Sequence, residues 1–156
     1  MKKQALFFLS SILLLGTIAC QNQNTAKTSA DAPNSTQQAP KAVDVNAVKE
    51  HQQDAQSQTR RDQLNADIRA HEQRNNAFNG GAQDRTDAAL ATEVRDKLEA
   101  NIPESQLVVE AHKGIVTVSG SVVHPQNLKK IDLAMQIKGV TKVINKVAVV
   151  PPKGKG

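Results

Sequence analysis

Residues 107–120 read LVVEAHKGIVTVSG, and the fold follows from how this stretch alternates. Leu107, Val109 and Ala111 are apolar at every second position, as are Val116, Val118 and, past Gly120, Val122. That is the period of strands with one buried face. His112, Lys113 and Gly114 between the two runs supply a turn, where Gly114 takes φ > 0 without steric cost. A two-stranded hairpin alone is marginal in water, so flanking elements must cover it.

The chain supplies them on both sides. Upstream, Thr86 or Asp87 caps a helix in which Leu90, Val94 and Leu98 recur at i, i+4 and i+8 as one apolar stripe, ended by Pro103. Downstream, His124-Pro125 opens a second helix over 126–138, stopped by Gly139. Thr141 to Val150 forms the last strand, with Val143, Val147 and Val149 on one face, and Pro151-Pro152 closes it. The expected architecture is α+β over residues 84–150, in the order helix, strand, strand, helix, strand. Two helices lie on one face of a three-stranded sheet, with Gly114, Gly120 and Gly139 as turn glycines and 151–156 as a flexible tail.

This order has landmarks at Lys113-Gly114, VTVSG at 116–120, Gly139-Val140 and VINKV at 143–147. Together they resemble the BON domain of bacterial envelope proteins, in a single copy. The resemblance implies a role in contact with membrane phospholipid. Lys130 departs from the family, which commonly has a small residue facing the sheet there; its long stem is expected to reach past the helix edge.

The N-terminus is an address. Lys2 and Lys3 precede an apolar run from Ala5 to Ile18, too short for the roughly 20 residues of a membrane span. It ends in Thr17-Ile18-Ala19-Cys20, and Cys20 is the only cysteine. This resembles a bacterial lipoprotein signal over residues 1–19, with Cys20 lipidated, although Thr17 stands where Leu is usual. Ordinary cleavage beside a cysteine, or an uncleaved anchor, shares the pattern. With two or more acyl chains attachment is durable. Gln21, where an inner-membrane signal has Asp, directs the expectation to the outer membrane, facing the periplasm.

Residues 20–41 have no large apolar residue and read as a disordered linker. Residues 42–83 read as a polar, partly helical spacer whose sparse apolar residues, Leu64, Ile68 and Phe78 among them, sustain no heptad. Fully helical from Ala42 to Phe78, such a stalk would extend about 55 Å, and Asn79-Gly80-Gly81 would end it.

No catalytic constellation is present: there is no HExxH, GxSxG or phosphate-binding glycine loop among these residues. A single cysteine excludes a multi-cysteine zinc site, so neither enzyme activity nor a cofactor or metal is expected. The net charge of +5 is spread across the segments and does not indicate nucleic-acid binding. Within the domain it splits, with three cations against seven carboxylates over 84–111 and eight against one over 112–156. Asp87, Glu93, Asp96 and Glu99, interleaved with Arg95 and Lys97, read as a solvated helix face.

Two surfaces stand out as binding candidates. In the second helix Leu133, Ala134 and Ile137 form the face that the resemblance places over the sheet. Leu128, Ile131 and Met135 form a spare stripe that, with Lys129, Lys130 and Lys138, makes the candidate phospholipid contact. The outer sheet face carries Val108, Ile115, Ile144, Ala148 and Val150, an aliphatic set that fits an interface. The first reading is therefore a lipid-anchored envelope protein supporting envelope integrity or stress tolerance. The alternative is a stalked module that docks an envelope protein or self-associates.

Overall fold

The computed structural model describes residues 24–79 and 85–154. The signal segment, Cys20 and the Gly80-Gly81 break lie outside the described residues, as does the side chain of Phe78. The elements are β1 (Thr25–Lys27), α1 (Val45–Gln56), α2 (Gln58–Asn79), α3 (Asp87–Asn101), β2 (Gln106–His112), β3 (Ile115–Val122), a 3₁₀ helix (Pro125–Gln136) and β4 (Lys142–Val149). The α+β class is as expected. The sheet, however, has four strands in the order β1-β2-β3-β4, because β1 adds to the edge of β2. It is also mixed: β2 and β3 pair antiparallel, whereas β4 runs parallel to β3.

The hairpin turns at Lys113-Gly114, both with positive φ, 49° and 80°. A two-residue turn of this hand matches the twist of the flanking strands. Gly120 is not in a turn. It sits inside β3 opposite Leu107, at φ 116°.

The Thr86 side chain accepts from the Ala89 N–H at 3.2 Å and so caps α3. From this helix Leu90, Ala91, Val94 and Leu98 are buried against Leu107, Val109 and Ala111 of β2 and Val116, Val118 and Val122 of β3. The second helix corrects the expected periodicity. As a 3₁₀ helix it turns every three residues, so Leu128, Ile131, Ala134 and Ile137 share one face, and the last three are buried in the core. The two stripes read at 3.6 residues per turn are regrouped: Ile131 joins Ala134 and Ile137 in the core, Leu133 is only half-buried and Met135 is exposed. Ile131 is core and is removed from the lipid-contact set, and Leu128 is half-buried against the same core.

From Asn24 onward, the segment read as a disordered linker is held against the domain. Ala26 packs on the core, Leu107 O accepts from the Thr28 N–H at 2.9 Å, and Asn24 O accepts from the Ala111 N–H at 3.1 Å. The chain then crosses the outer sheet face, burying Ala32, Pro33 and Thr36. The Thr36 hydroxyl donates to Glu110, and Lys41 O accepts from the Ser121 hydroxyl at 2.8 Å. Val108, expected on an open face, is consequently fully buried. What orders this apolar-poor segment is an open sheet edge and a row of Thr and Ser hydroxyls, which satisfy its backbone groups.

The spacer also folds back instead of extending. Val43 and Val48 pack on Val123 in a second small core, and Asp44 caps α1 by accepting the Asn46 N–H at 2.8 Å. The tail is pinned there too: the Lys153 N–H donates to Val43 O at 2.9 Å. Helix α2 then packs along α3.

Candidate functional site

Two charged regions of opposite fate define the functional surface. The first is the acidic face of α3, expected to be solvated and in fact covered by α2. Glu93 and Asp96 are each about 1% exposed. Arg60 of α2 binds Glu99 and reaches Asp54 at 3.6 Å. Arg85, itself buried, binds Glu93. Arg95 holds Asp96 at 2.7 Å and Glu99 at 3.1 Å, and His71 of α2 stands 3.9 Å from Asp96. Glu93, Asp96 and Glu99 thus each face an arginine, but both carboxylate oxygens of Asp96 are buried without a hydrogen-bond donor among the described residues.

Burial has a chemical consequence here. It pushes the Asp96 carboxyl up to about 6, against the pull of Arg95, and holds His71 below its ordinary value, with Arg74 adding to the effect. Desolvation likewise lowers Arg85. A carboxyl whose folded value is raised penalises the folded state when ionised and relieves that penalty as pH falls through about 6. Asp96→Asn is therefore expected to stabilise the full chain at pH 7.5 by on the order of 1 kcal/mol. Its advantage over the natural chain should shrink toward pH 5, because Asp96 itself takes up a proton as pH falls through about 6 and the penalty lapses. Urea unfolding at the two pH values checks this; an advantage that grows on acidification would refute it.

The second region is the lysine-bearing half. Among the described residues, Lys113, Lys129, Lys138, Lys142 and Lys146 form no ion pair and are all exposed. On the 3₁₀ helix, Lys129, Asp132 and Met135 recur every third residue on the solvent face, and Lys138 is exposed just past its end. Met135 is 48% exposed. Lys130 reaches past the helix edge, its Nζ donating to Asn101 O at 2.9 Å. Of the expected lipid-contact set, Lys129, Lys130, Met135 and Lys138 thus remain on the surface, Leu128 is half-buried and Ile131 is core.

The outer sheet face is only partly open. Its β2 side lies under residues 29–38, while Ile115, 39% exposed, stays accessible beside Thr117 and the exposed Lys142 and Lys146. Among the described residues, β4 is an unpaired edge at this side. Asn145, which interrupts the valine alternation, accepts the Val147 N–H through Oδ1 at 2.9 Å and so satisfies one edge group locally.

Arg60, His71 and Arg85 were not singled out by sequence reasoning. The available signal was complementarity: a strongly polar helix bearing Arg and His precedes one bearing four carboxylates, and only their docking shows that the charges meet. A polar recess of about 220 Å³ between α1, α2 and α3 is lined by His51, Arg60, Arg61 and Glu99 among others. Among the described residues, no group of three His, Cys, Asp or Glu side chains is arranged to hold a metal ion. No described helix is long and apolar enough to cross a membrane. The family model for the BON domain matches residues 86–151. No curated protein and no solved structure matches the chain.

Proposed function

Residues 86–151 form a BON domain, and from that premise we propose that the chain is a lipid-anchored envelope protein whose domain contacts phospholipid head groups. On this reading Cys20 carries the acyl anchor, the outer membrane facing the periplasm is the destination, and the role is non-catalytic support of envelope integrity under stress. The observation that carries the lipid reading is electrostatic. Glu93, Asp96 and Glu99 of α3 are paired with arginines, whereas the lysines of the second half have no described acidic partner. A surface of unpaired lysines with Met135 and Ile115 among them suits an anionic bilayer.

The test uses the full chain carrying Cys20→Ser, so that binding does not come from acyl groups. It is sedimented with vesicles of phosphatidylglycerol or of phosphatidylcholine alone. Binding is expected only to the anionic vesicles, weakening at high salt because the charges are exposed. Each of Lys138→Gln and Lys142→Gln should lower affinity roughly fivefold, from about 1 kcal/mol per juxtamembrane lysine. Equal binding to both vesicles, or none, would overturn the reading.

One observation favours the alternative of a protein-docking module. The free β4 edge and exposed Ile115 form a surface to which an extended partner segment can add. That contact would tolerate salt and be lost in Ile115→Asp while ignoring lysine substitutions.

A further inference from the structure

Strand β1 fixes where the chain enters the domain. Its antiparallel register sets Lys27 against Val108, Ala26 against Val109 and Thr25 against Glu110. Asn24 O accepts from the Ala111 N–H at 3.1 Å. Each residue toward the N-terminus is thus one step nearer the Lys113-Gly114 turn. Cys20 lies four residues before Asn24, so it reaches no farther than about 14 Å from it.

That end of the domain carries a coherent surface. Ile115 pairs in register with Lys142, and the Thr141 N–H donates to Gly114 O at 2.8 Å. Gly139, whose φ is 99°, brings Lys138 to the same end, close beside Gly114. Two described carboxylates lie there: Asp87 is engaged by His112 at 3.3 Å and by the Lys113 N–H at 2.7 Å, and Glu110, which lines the same recess as Ile115, accepts from the Thr36 hydroxyl. Lys113, Lys138 and Lys142 are left unpaired among the described residues around Ile115. The opposite end differs. Lys130 is tied to Asn101 O, and Glu104 meets Asn127 at 3.3 Å and His124 at 4.0 Å. Helix α3, fifteen residues long, separates the two ends by about 22 Å.

We infer that the turn end of the domain, bearing Lys113, Ile115, Lys138 and Lys142, is the face that lies on an anionic phospholipid bilayer, with Ile115 at the interface. The inference rests on the anchor at Cys20 proposed above. It moves the contact away from Leu128, Lys129 and Lys130, and it holds the domain close to the membrane instead of at the end of a stalk.

The chain has no Trp or Tyr, so a single introduced tryptophan reports its own surroundings. The full acylated chain is reconstituted in phosphatidylglycerol–phosphatidylcholine vesicles with and without brominated lipid, as Ile115→Trp, Lys142→Trp or Lys129→Trp. Folding is checked by circular dichroism, and Lys142→Trp covers the case in which Ile115→Trp is perturbed. The expected result is a blue-shifted emission quenched at least twofold at 115 and 142, with position 129 unquenched. Quenching at 129 alone overturns the assigned face while leaving lipid contact in place. No quenching at any position, with Cys20 acylated by intact mass, overturns the lipid reading as well. A chain whose Cys20 carries no acyl group removes the orienting constraint and overturns the inference at its premise.

Discussion

Gly120→Ala is expected to cost roughly 3–5 kcal/mol, the sum of left-handed backbone strain and overpacking. Gly120 lies in the middle of β3 at φ 116°, and a Cβ there would sit 2.0 Å from Gln106 O, with the Gln106 carbonyl carbon and Leu107 Cα at 3.1 and 3.2 Å. All three atoms are backbone of the paired strand, so no side chain can swing aside. A loss of this size is a large share of the 5–15 kcal/mol that holds an ordinary domain together. Urea unfolding followed by circular dichroism should show a lower midpoint at unchanged slope. Gly154→Ala, where nothing lies within 4 Å, serves as the control and should leave the midpoint in place. A loss below about 1 kcal/mol at Gly120 would mean that β2 and β3 separate easily, against the strain estimate.

Glu93→Ala is the second substitution with a large expected effect. It strands the Arg85 guanidinium, whose side chain is 4% exposed, in an interface without its counter-charge. Breaking one side of such a pair costs about 3–5 kcal/mol. Helix α2 offers an escape, because lifting it returns Arg85 to water. The loss should therefore appear first as faster proteolysis and hydrogen exchange in α2, with β2 and β3 still protected. Replacing both partners by leucine, Arg85→Leu with Glu93→Leu, should restore most of the stability, since two apolar groups of similar volume carry no desolvation penalty. A double variant as weak as Glu93→Ala would show that the ion pair itself, not the orphaned charge, holds α2 down.

The domain core was legible because its signals are local. Leu107, Val109 and Ala111 alternate with period two, Leu90, Val94 and Leu98 with period four, and Pro103 and Gly139 mark the ends. The second helix shows where this reading fails. Counting at 3.6 residues per turn grouped Leu128 and Ile131 with the outward Met135, apart from Ala134 and Ile137; the 3₁₀ geometry puts Leu128 and Ile131 on the side of Ala134 and Ile137 and leaves Met135 exposed. No residue in that stretch forbids an α-helix, so the choice was made by how the segment packs over the sheet.

What the sequence by itself determined is the α+β hairpin domain, the stripe of α3 that faces it, the glycine turn at 113–114 and the concentration of lysine after residue 112. Each follows from spacing or composition within a dozen residues. The tertiary structure alone decided that residues 24–42 are ordered, that Asp96 and Glu93 are buried, and that the chain enters beside Ile115. The physical reason is that these outcomes depend on partners far away in the chain. An edge of β2 lends its hydrogen bonds to Thr25–Lys27, and Arg60 and His71 bring charge to α3 from a helix that ends before it begins. A polar segment read alone shows only what it lacks, whereas its structure depends on what the rest of the fold leaves unsatisfied.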